Sequence, residues 1–301
     1  MIRLHNPYSK HNIAGLLVKN VLLFCAVLSV FITAAIILSL VFNTVEFFKS
    51  VSIIEFFTGT EWTPLFADAK YGVLPLIAGT LVVTVCAALI ALPMGLFGAI
   101  YLSEYAHSGV RKVLKPVLEI LAGIPSIVYG YFAITFITPM LRGLIPQTEI
   151  YNAASAGIAM GIMIMPMVCS LSEDAMTAVP LSVRHGGYAL GATQLQVVRG
   201  IVIPGAFSGI VSSFVLALSR AIGETMIVTI AAGARPTLTL NPLVSVQTLT
   251  SFIAQASQGD NPHGTVSYYS LYAVGLLLFV ITFTLNVIAH RVIRKKREAL
   301  R

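Results

Sequence analysis

Five stretches of this chain carry no Lys, Arg, Asp or Glu: residues 20–45, 71–103, 120–141, 150–172 and 261–290. Each is long enough to cross a bilayer core as a helix, which takes about 20 residues. A sixth stretch, 200–234, is interrupted only by Arg220 and Glu224, and its flanking Pro204 and Gly233 suit a helix start and stop. The pattern predicts an all-α integral membrane protein with six transmembrane helices. The first apolar run spans 26 residues, 20–45, and no convincing cleavage site follows it. Signal-peptide cores are shorter, roughly 7–15 residues, so the run is expected to persist as the first crossing.

Composition agrees: 57% of residues are apolar, only 10% are charged, and the mean hydropathy of +0.88 excludes an ordinary soluble domain. The net charge of +7 falls mostly on one side of the expected membrane. If the N-terminus is cytoplasmic, the cytoplasmic segments hold Arg3, Lys10, Lys19, Arg111, Lys112, Lys115, Arg184, Arg199 and the tail cluster Arg291, Arg294, Lys295, Lys296, Arg297 and Arg301, which is 14 of the 19 basic residues. Lys49, Lys70, Arg142 and Arg235 fall outside, and Arg220 lies within a crossing. Positive residues are retained on the cytoplasmic side, so both termini are expected there, with membrane lipid as surroundings. The basic tail lacks interleaved aromatics, so its charge is topological and no nucleic-acid partner is expected.

Cys25, Cys86 and Cys169 lie inside expected helices without CxxC spacing, and are read as small apolar fillers. No HExxH occurs, the six His residues show no ligand spacing, and no metal site is expected. The dipeptide Gly-Lys is absent, which removes any phosphate-cradling GxxxxGK[ST] loop, so any ATP must be bound by another chain. Pro75, Pro93, Gly123, Pro125, Gly130 and Pro166 break the crossings more often than a passive anchor requires. Such breaks at membrane depth tend to line transport paths. Gly157 with Gly161, and Gly205 with Gly209, make steps that permit close helix contact, either within this chain or with another.

Between the fourth and fifth crossings, residues 173–203 are punctuated as short helices. Ser170 and Glu173 have capping-box spacing, Asp174 adds charge to that first turn, and Pro180 is expected to end the helix. Gly191 suits a left-handed stop, Thr193 with Gln196 forms a second capping box, and Pro204 suits the first turn of the next helix. The prediction is a helix, a tight turn and a second helix at the membrane surface.

Gly191 followed by Ile201, Ile203 and Pro204 resembles the EAA loop of ABC-importer permeases, with His185, Gly186 and Gly187 standing in place of the Glu-Ala-Ala triplet. The strings LAGIPSIVYGYF from Leu121, SLSEDAMTAVP from Ser170 and ALSRAIGETM from Ala217 resemble the C-type permeases of bacterial phosphate importers, as does GTEWTPLF with YGVLPLIAGTL. The likeness spans about 59–292. It implies the type I importer (MetI-like) fold, with 1–70 as N-terminal tail, first helix and external segment, 71–292 as permease domain, 173–203 as coupling loop within it, and 293–301 as basic cytoplasmic tail. It also implies a bacterial inner membrane as the setting, and alternating access with a second, sister permease subunit, two ATPase subunits that hold ATP and Mg, and a periplasmic phosphate-binding protein. This chain would carry no nucleotide site of its own. ATPase docking would fall to His185, Tyr188, Leu190, Gly191, Ala192 and Thr193, with Tyr188, Leu190 and Ala192 seated in an apolar groove.

Arg220 and Glu224 are four apart, which on one continuous helix puts them on one face. Pro204 to Arg220 is 16 steps, about 24 Å at ~1.5 Å per residue, well inside the bilayer. Buried charges there are costly and usually functional or paired. The path reading has Arg220 attract phosphate while Glu224 orients the guanidinium and prevents too deep a trap; the other is a pair that only locks two helices. Gly209, Ser213, Ala217 and Gly223 share that face and suit either a water path or a close neighbouring helix. Ser126 and Tyr129 offer further hydroxyls, either to such a path or to ordinary bonds between helices, and Thr80 and Thr84 weaker ones. A permease for another oxyanion, sulfate or molybdate, fits Arg220 equally; a secondary transporter or channel fits less well, having no use for the helix-turn-helix loop.

Overall fold

A computed structural model describes residues 8–66, 68–259 and 261–299. In chain order its α-helices are α1 Tyr8–Ser50, α2 Ile53–Thr58, α3 Leu74–Ile100, α4 Ser108–Gly123, α5 Ser126–Phe132, α6 Thr138–Leu144, α7 Ala153–Thr177, α8 Leu181–Ala189, α9 Gln194–Val197, α10 Ile203–Ile222, α11 Leu249–Gln258 and α12 Val266–Ala299. Four π-helical turns, Tyr101–Tyr105, Ala133–Ile137, Val198–Val202 and Val228–Ala232, extend or join them. Among the described residues there is no strand, only an isolated bridge between Trp62 and Tyr71. Six helical spans are long and apolar enough to cross a membrane: Gly15–Ser50, Leu74–Tyr105, Ser126–Leu144, Ala153–Thr177, Gln194–Ile222 and Val266–Arg291. These are the six expected crossings. Arg3 and Arg301 of the expected cytoplasmic charge lie outside the described residues.

The bundle is organised around α7, whose small residues let α3 approach closely. A Cβ on Gly157 would lie 2.4 Å from Cys86 Cβ, and one on Gly95 2.7 Å from Val168. Gly209 sits against Ala175 in the same way, at 2.3 Å, so both small-residue steps serve packing inside this chain. Cys86 and buried Cys169 fill the α3–α7 seam as expected, while Cys25 is exposed on α1. The stripe Gly209, Ser213 and Ala217 also turns toward α7: Ser213 is buried and its hydroxyl lies 2.7 Å from that of Ser172. Of the two uses expected for that stripe, the structure selects the close neighbour.

Several boundaries differ from expectation. The fifth crossing begins at Gln194, not Pro204, because Val198–Val202 adopts π geometry just before the proline. A widened turn accommodates a ring without an N–H, so the helix passes through it. The same crossing ends at Ile222 with Gly223 as its cap, and a separate short helix from Met226 to Ala232 stops at Gly233, whose φ is +94°. Further back, α7 runs unbroken through Ser170 to Thr177, so the expected capping box at Ser170 and Glu173 does not exist. Its spacing matches a cap, but helix already surrounds it.

At one end of the bundle, hereafter the basic end, α4 and α9 pack over Leu102, Met176 and Val202, and α8 crosses the chain at Val197 and Ile201. At the opposite end a nest of rings closes α1, α2, α11 and the chain between: Trp62 is 2% exposed and meets Phe252 edge-on at 4.9 Å, with Phe47, Phe56 and Tyr71 around it. Beside it Lys70 donates to Glu61 Oε2 at 2.6 Å, which holds its ammonium pKa above the ordinary value.

Candidate functional site

The segment after α7 folds as its punctuation predicts. Pro180 precedes α8, and Gly191 at φ +79° allows its own N–H to reach Tyr188 O at 2.9 Å and Ala192 N to reach Gly187 O at 3.2 Å. Thr193 then caps α9: Thr193 N donates to Gln196 Oε1 at 2.7 Å and Gln196 N to Thr193 Oγ1 at 3.4 Å, the reciprocal box. Gly187 is buried beneath this turn, and a Cβ there would lie 2.6 Å from Ile201 Cδ1 and 3.2 Å from Val197 Cγ2. The third position of the triplet is therefore small because α8 crosses closely over the helix that follows.

The turn projects from the bundle. His185, Tyr188, Leu190, Gly191 and Thr193 are exposed, Leu190 to 90%. Ala192 is the exception among the expected docking residues; it packs inward against the cluster of Val197 and Val202. What positions the turn is a pair the sequence reading did not single out. Arg184 Nη1 donates to Glu104 Oε1 at 2.7 Å and its Nη2 to Met176 O at 2.6 Å, while Gln194 Nε2 donates to Glu104 O at 2.6 Å. Glu104, at the end of the second crossing, thus receives both sides of the turn.

Amphipathic α4 is clamped to α7 by charge. Glu173, 1% exposed, accepts from Arg111 through Oε1 and from Lys115 Nζ through Oε2 at 2.9 Å. Lys115 also reaches Asp174 at 3.1 Å. Beyond α4 the chain breaks at Gly123 and Pro125, so the third crossing starts at Ser126, later than the expected 120. Buried Tyr129 donates from its hydroxyl to Leu121 O at 2.9 Å, bridging that break. Ser126 opens α5, half-buried.

Arg220 and Glu224 do not form the expected pair. Arg220 sits in the last turn of α10, exposed, on the wall of a cavity of about 340 Å³ with Lys115, Glu119, Ser170 and Glu173. Glu224 lies past the helix end, where its Oε1 accepts from Met226 N at 3.0 Å and Ile227 N at 3.4 Å. No ion pair joins the two among the described residues. The rule of four assumes a continuous helix, and Gly223 ends it between them. Glu224 is instead the cap of the short helix, a role suited to a carboxylate, and its carbonyl accepts from Thr250 Oγ1 at 2.6 Å, tying the break to α11. Thr80 is likewise structural, donating to Leu76 O at 2.8 Å and accepting from Leu249 N at 3.0 Å, and Thr84 lines an apolar cavity with Leu218 and Leu285.

The arrangement therefore comprises a projecting helical turn at one end, a broken crossing in the middle and an arginine facing a cavity between them. Comparison with known proteins places it. Residues 91–298 match the family described as binding-protein-dependent transport system inner membrane component. A probable ABC transporter permease protein, YqgH of Bacillus subtilis, is 37% identical over 91% of this chain and 89% of its own. The phosphate transport system permease protein PstC of Haemophilus influenzae is 32% identical over 94% of each chain. Among solved structures, a chain of the bacterial alginate ABC transporter, in complex with an alginate-bound periplasmic protein, superposes with a TM-score of 0.65 at 17% identity over 92% of this chain and 95% of that one. A chain of the inward-facing MetNI methionine ABC transporter gives 0.56 at 20% identity over 75% and 94%. These structural likenesses carry the fold, that of type I ABC importer permeases. With a family match across more than two thirds of its length, this multi-pass inner-membrane protein belongs to the inner membrane components of binding-protein-dependent transport systems.

Proposed function

We propose that this chain forms half of the membrane path of an ATP-driven importer for inorganic phosphate. The observation that carries the substrate is the similarity, over 94% of both chains, to a relative named as a phosphate transport permease. A second permease subunit completes the path, two ATPase subunits holding ATP and Mg dock at the basic end, and a periplasmic phosphate-binding protein delivers at the opposite end. The basic end is then cytoplasmic, in keeping with its Lys and Arg content, and both termini lie on that side.

The chain's own residues divide the work. The exposed turn of His185, Tyr188, Leu190, Gly191 and Thr193 meets the ATPase, with Leu190 as the apolar contact. Arg220 attracts the anion in the cavity it lines, and Ser126 contributes a hydroxyl near the break after Pro125. Glu224 and Tyr129 hold the two breaks in shape. The anion must also leave, and Glu119 and Glu173 on the wall of the same cavity keep its net charge low.

The test is uptake of radiolabelled phosphate by vesicles containing the complete complex, with sulfate and molybdate as competitors. Uptake that requires ATP and binding protein and resists both competitors supports the reading. Uptake of sulfate or molybdate in place of phosphate overturns the substrate, and ATP-independent uptake overturns the class.

A further inference from the structure

Two cavities flank the broken fifth crossing, and they differ in charge. The one at the basic end holds Lys115 and Arg220 against Glu119 and Glu173. The one at the opposite end, about 800 Å³, lies between Tyr131 of α5, Thr229 and Ile230 of the short helix, Tyr151 and Arg235, and Arg235 is the sole Lys, Arg, Asp or Glu on its wall among the described residues. Among the described residues the first wall is formally neutral, and the second carries one positive charge.

The backbone that presents Arg235 is built into place. Gly233 turns the chain with φ +94°, and a Cβ there would lie 2.1 Å from Ser245 Oγ, so only glycine fits. Ala231 O accepts from Asn152 N and Ala232 O from Val246 N, both at 3.0 Å, and Arg235 O accepts from Thr237 N at 2.9 Å. Glu149 reaches this wall through Ser245, but its Oε2 accepts from Ser245 N at 2.8 Å and it makes no ion pair with Arg235. Arg235 is exposed at the cavity, and among the described residues no carboxylate pairs with it.

We infer that this outer cavity is an anion-receiving site, in which Arg235 and the neighbouring Tyr131 and Tyr151 hydroxyls hold a tetrahedral oxyanion before it passes to Arg220. The inference rests on the proposed phosphate-import function and names the first position on the path. A single exposed arginine binds weakly, which is what a transit position requires: the anion must be attracted and then released.

The experiment uses the complete complex in vesicles with the phosphate-binding protein, ATP and labelled phosphate. Arg235→Gln is expected to lower maximal uptake about tenfold, the scale of one lost charge-assisted contact, and Arg235→Lys to restore most of it. Capture of the loaded binding protein by the Arg235→Gln complex should match that of the unsubstituted one. Undiminished uptake by Arg235→Gln, in a complex that Arg220→Gln silences, would overturn this inference and leave the functional reading standing. Weakened capture of the binding protein would also overturn it, by making Arg235 a docking contact. If the unsubstituted complex takes up no phosphate, the functional reading fails and takes this inference with it.

Discussion

Arg184 of α8 and Glu104 at the end of the second crossing meet at 2.7 Å with side chains only 11% and 5% exposed. The pair ties the projecting turn to a crossing 80 residues away in sequence. Any push on α8 is therefore delivered to α3 as well as to α10, which continues from the turn. Ser103 Oγ also donates to Glu104 Oε1 at 2.7 Å, while Arg184 Nε is buried without a hydrogen-bond partner among the described residues. Breaking such a pair from one side strands the other charge, at a cost of about 3–5 kcal/mol. Arg184→Ala is expected to lower the thermal midpoint of the purified complex and to uncouple ATP hydrolysis from uptake. The exchange Glu104→Arg with Arg184→Glu should recover part of both. A silent Arg184→Ala would mean the turn transmits through α10 alone.

Glu173 presents the same physics with two cations. Glu173→Gln keeps the shape but leaves Arg111 and Lys115 beside a neutral amide, so α4 should loosen from α7. A loss on the order of 3 kcal/mol is expected, read as a lowered midpoint and as faster proteolysis between Ser108 and Gly123. Arg111→Gln should cost less, because Lys115 still faces the carboxylate.

The parts of this molecule that sequence made legible are those decided within a few residues. Six apolar runs announce six crossings, and Gly191 and the Thr193–Gln196 box announce the turn, since a left-handed residue and a cap act on their own neighbours. Spacing misled where it presumed what surrounded it. Glu224 four places after Arg220 reads as a pair only if Gly223 does not end the helix, and Glu173 three places after Ser170 reads as a cap only if a helix starts there. Arg111 and Lys115 meet Glu173 across 62 and 58 residues, and Arg184 meets Glu104 across 80; no local pattern encodes such contacts. Ala192, expected on the docking surface, is half-buried against the cluster that holds Val197 and Val202, a packing that no local pattern announces.

The cap assigned to Glu224 is separable from a pairing role. A glutamine retains the side-chain oxygen that accepts from Met226 and Ile227, whereas an alanine does not. Glu224→Gln is expected to keep most uptake, and Glu224→Ala to lose stability of about 1 kcal/mol with reduced uptake. Equal and severe loss of uptake in both, at normal complex levels, would show that the negative charge itself is required.

Gly191 has open space where a Cβ would stand, so its requirement is conformational. At φ +79° asparagine is tolerated far better than a β-branched residue, which pays about 1–2 kcal/mol for the left-handed region. Gly191→Val should tilt α9 away from α8 and reduce co-purification of the ATPase, while Gly191→Asn should retain it. Wild-type stoichiometry and uptake in Gly191→Val would remove the turn from the coupling path.

The last expectation concerns which exposed residue the ATPase grips. His185 stands where the resembling family carries a carboxylate, and an imidazole offers no negative charge to a basic partner. On the proposed function, a basic residue on the ATPase gains nothing at that corner, and the contact is expected to be made by burying apolar surface. Leu190, 90% exposed at the apex of the turn, and Tyr188, 42% exposed two residues before it, are the side chains with such surface to bury. Fully burying a leucine is worth about 1.5–3 kcal/mol, so Leu190→Ala should weaken ATPase retention by roughly tenfold or more, with Tyr188→Ala following in the same direction. His185→Ala should leave coupled ATP hydrolysis nearly unchanged at neutral pH. Hydrolysis by the reconstituted complex with saturating binding protein measures all three; a severe His185 defect beside a silent Leu190 and Tyr188 would place the grip on the polar edge of α8 instead of its apex.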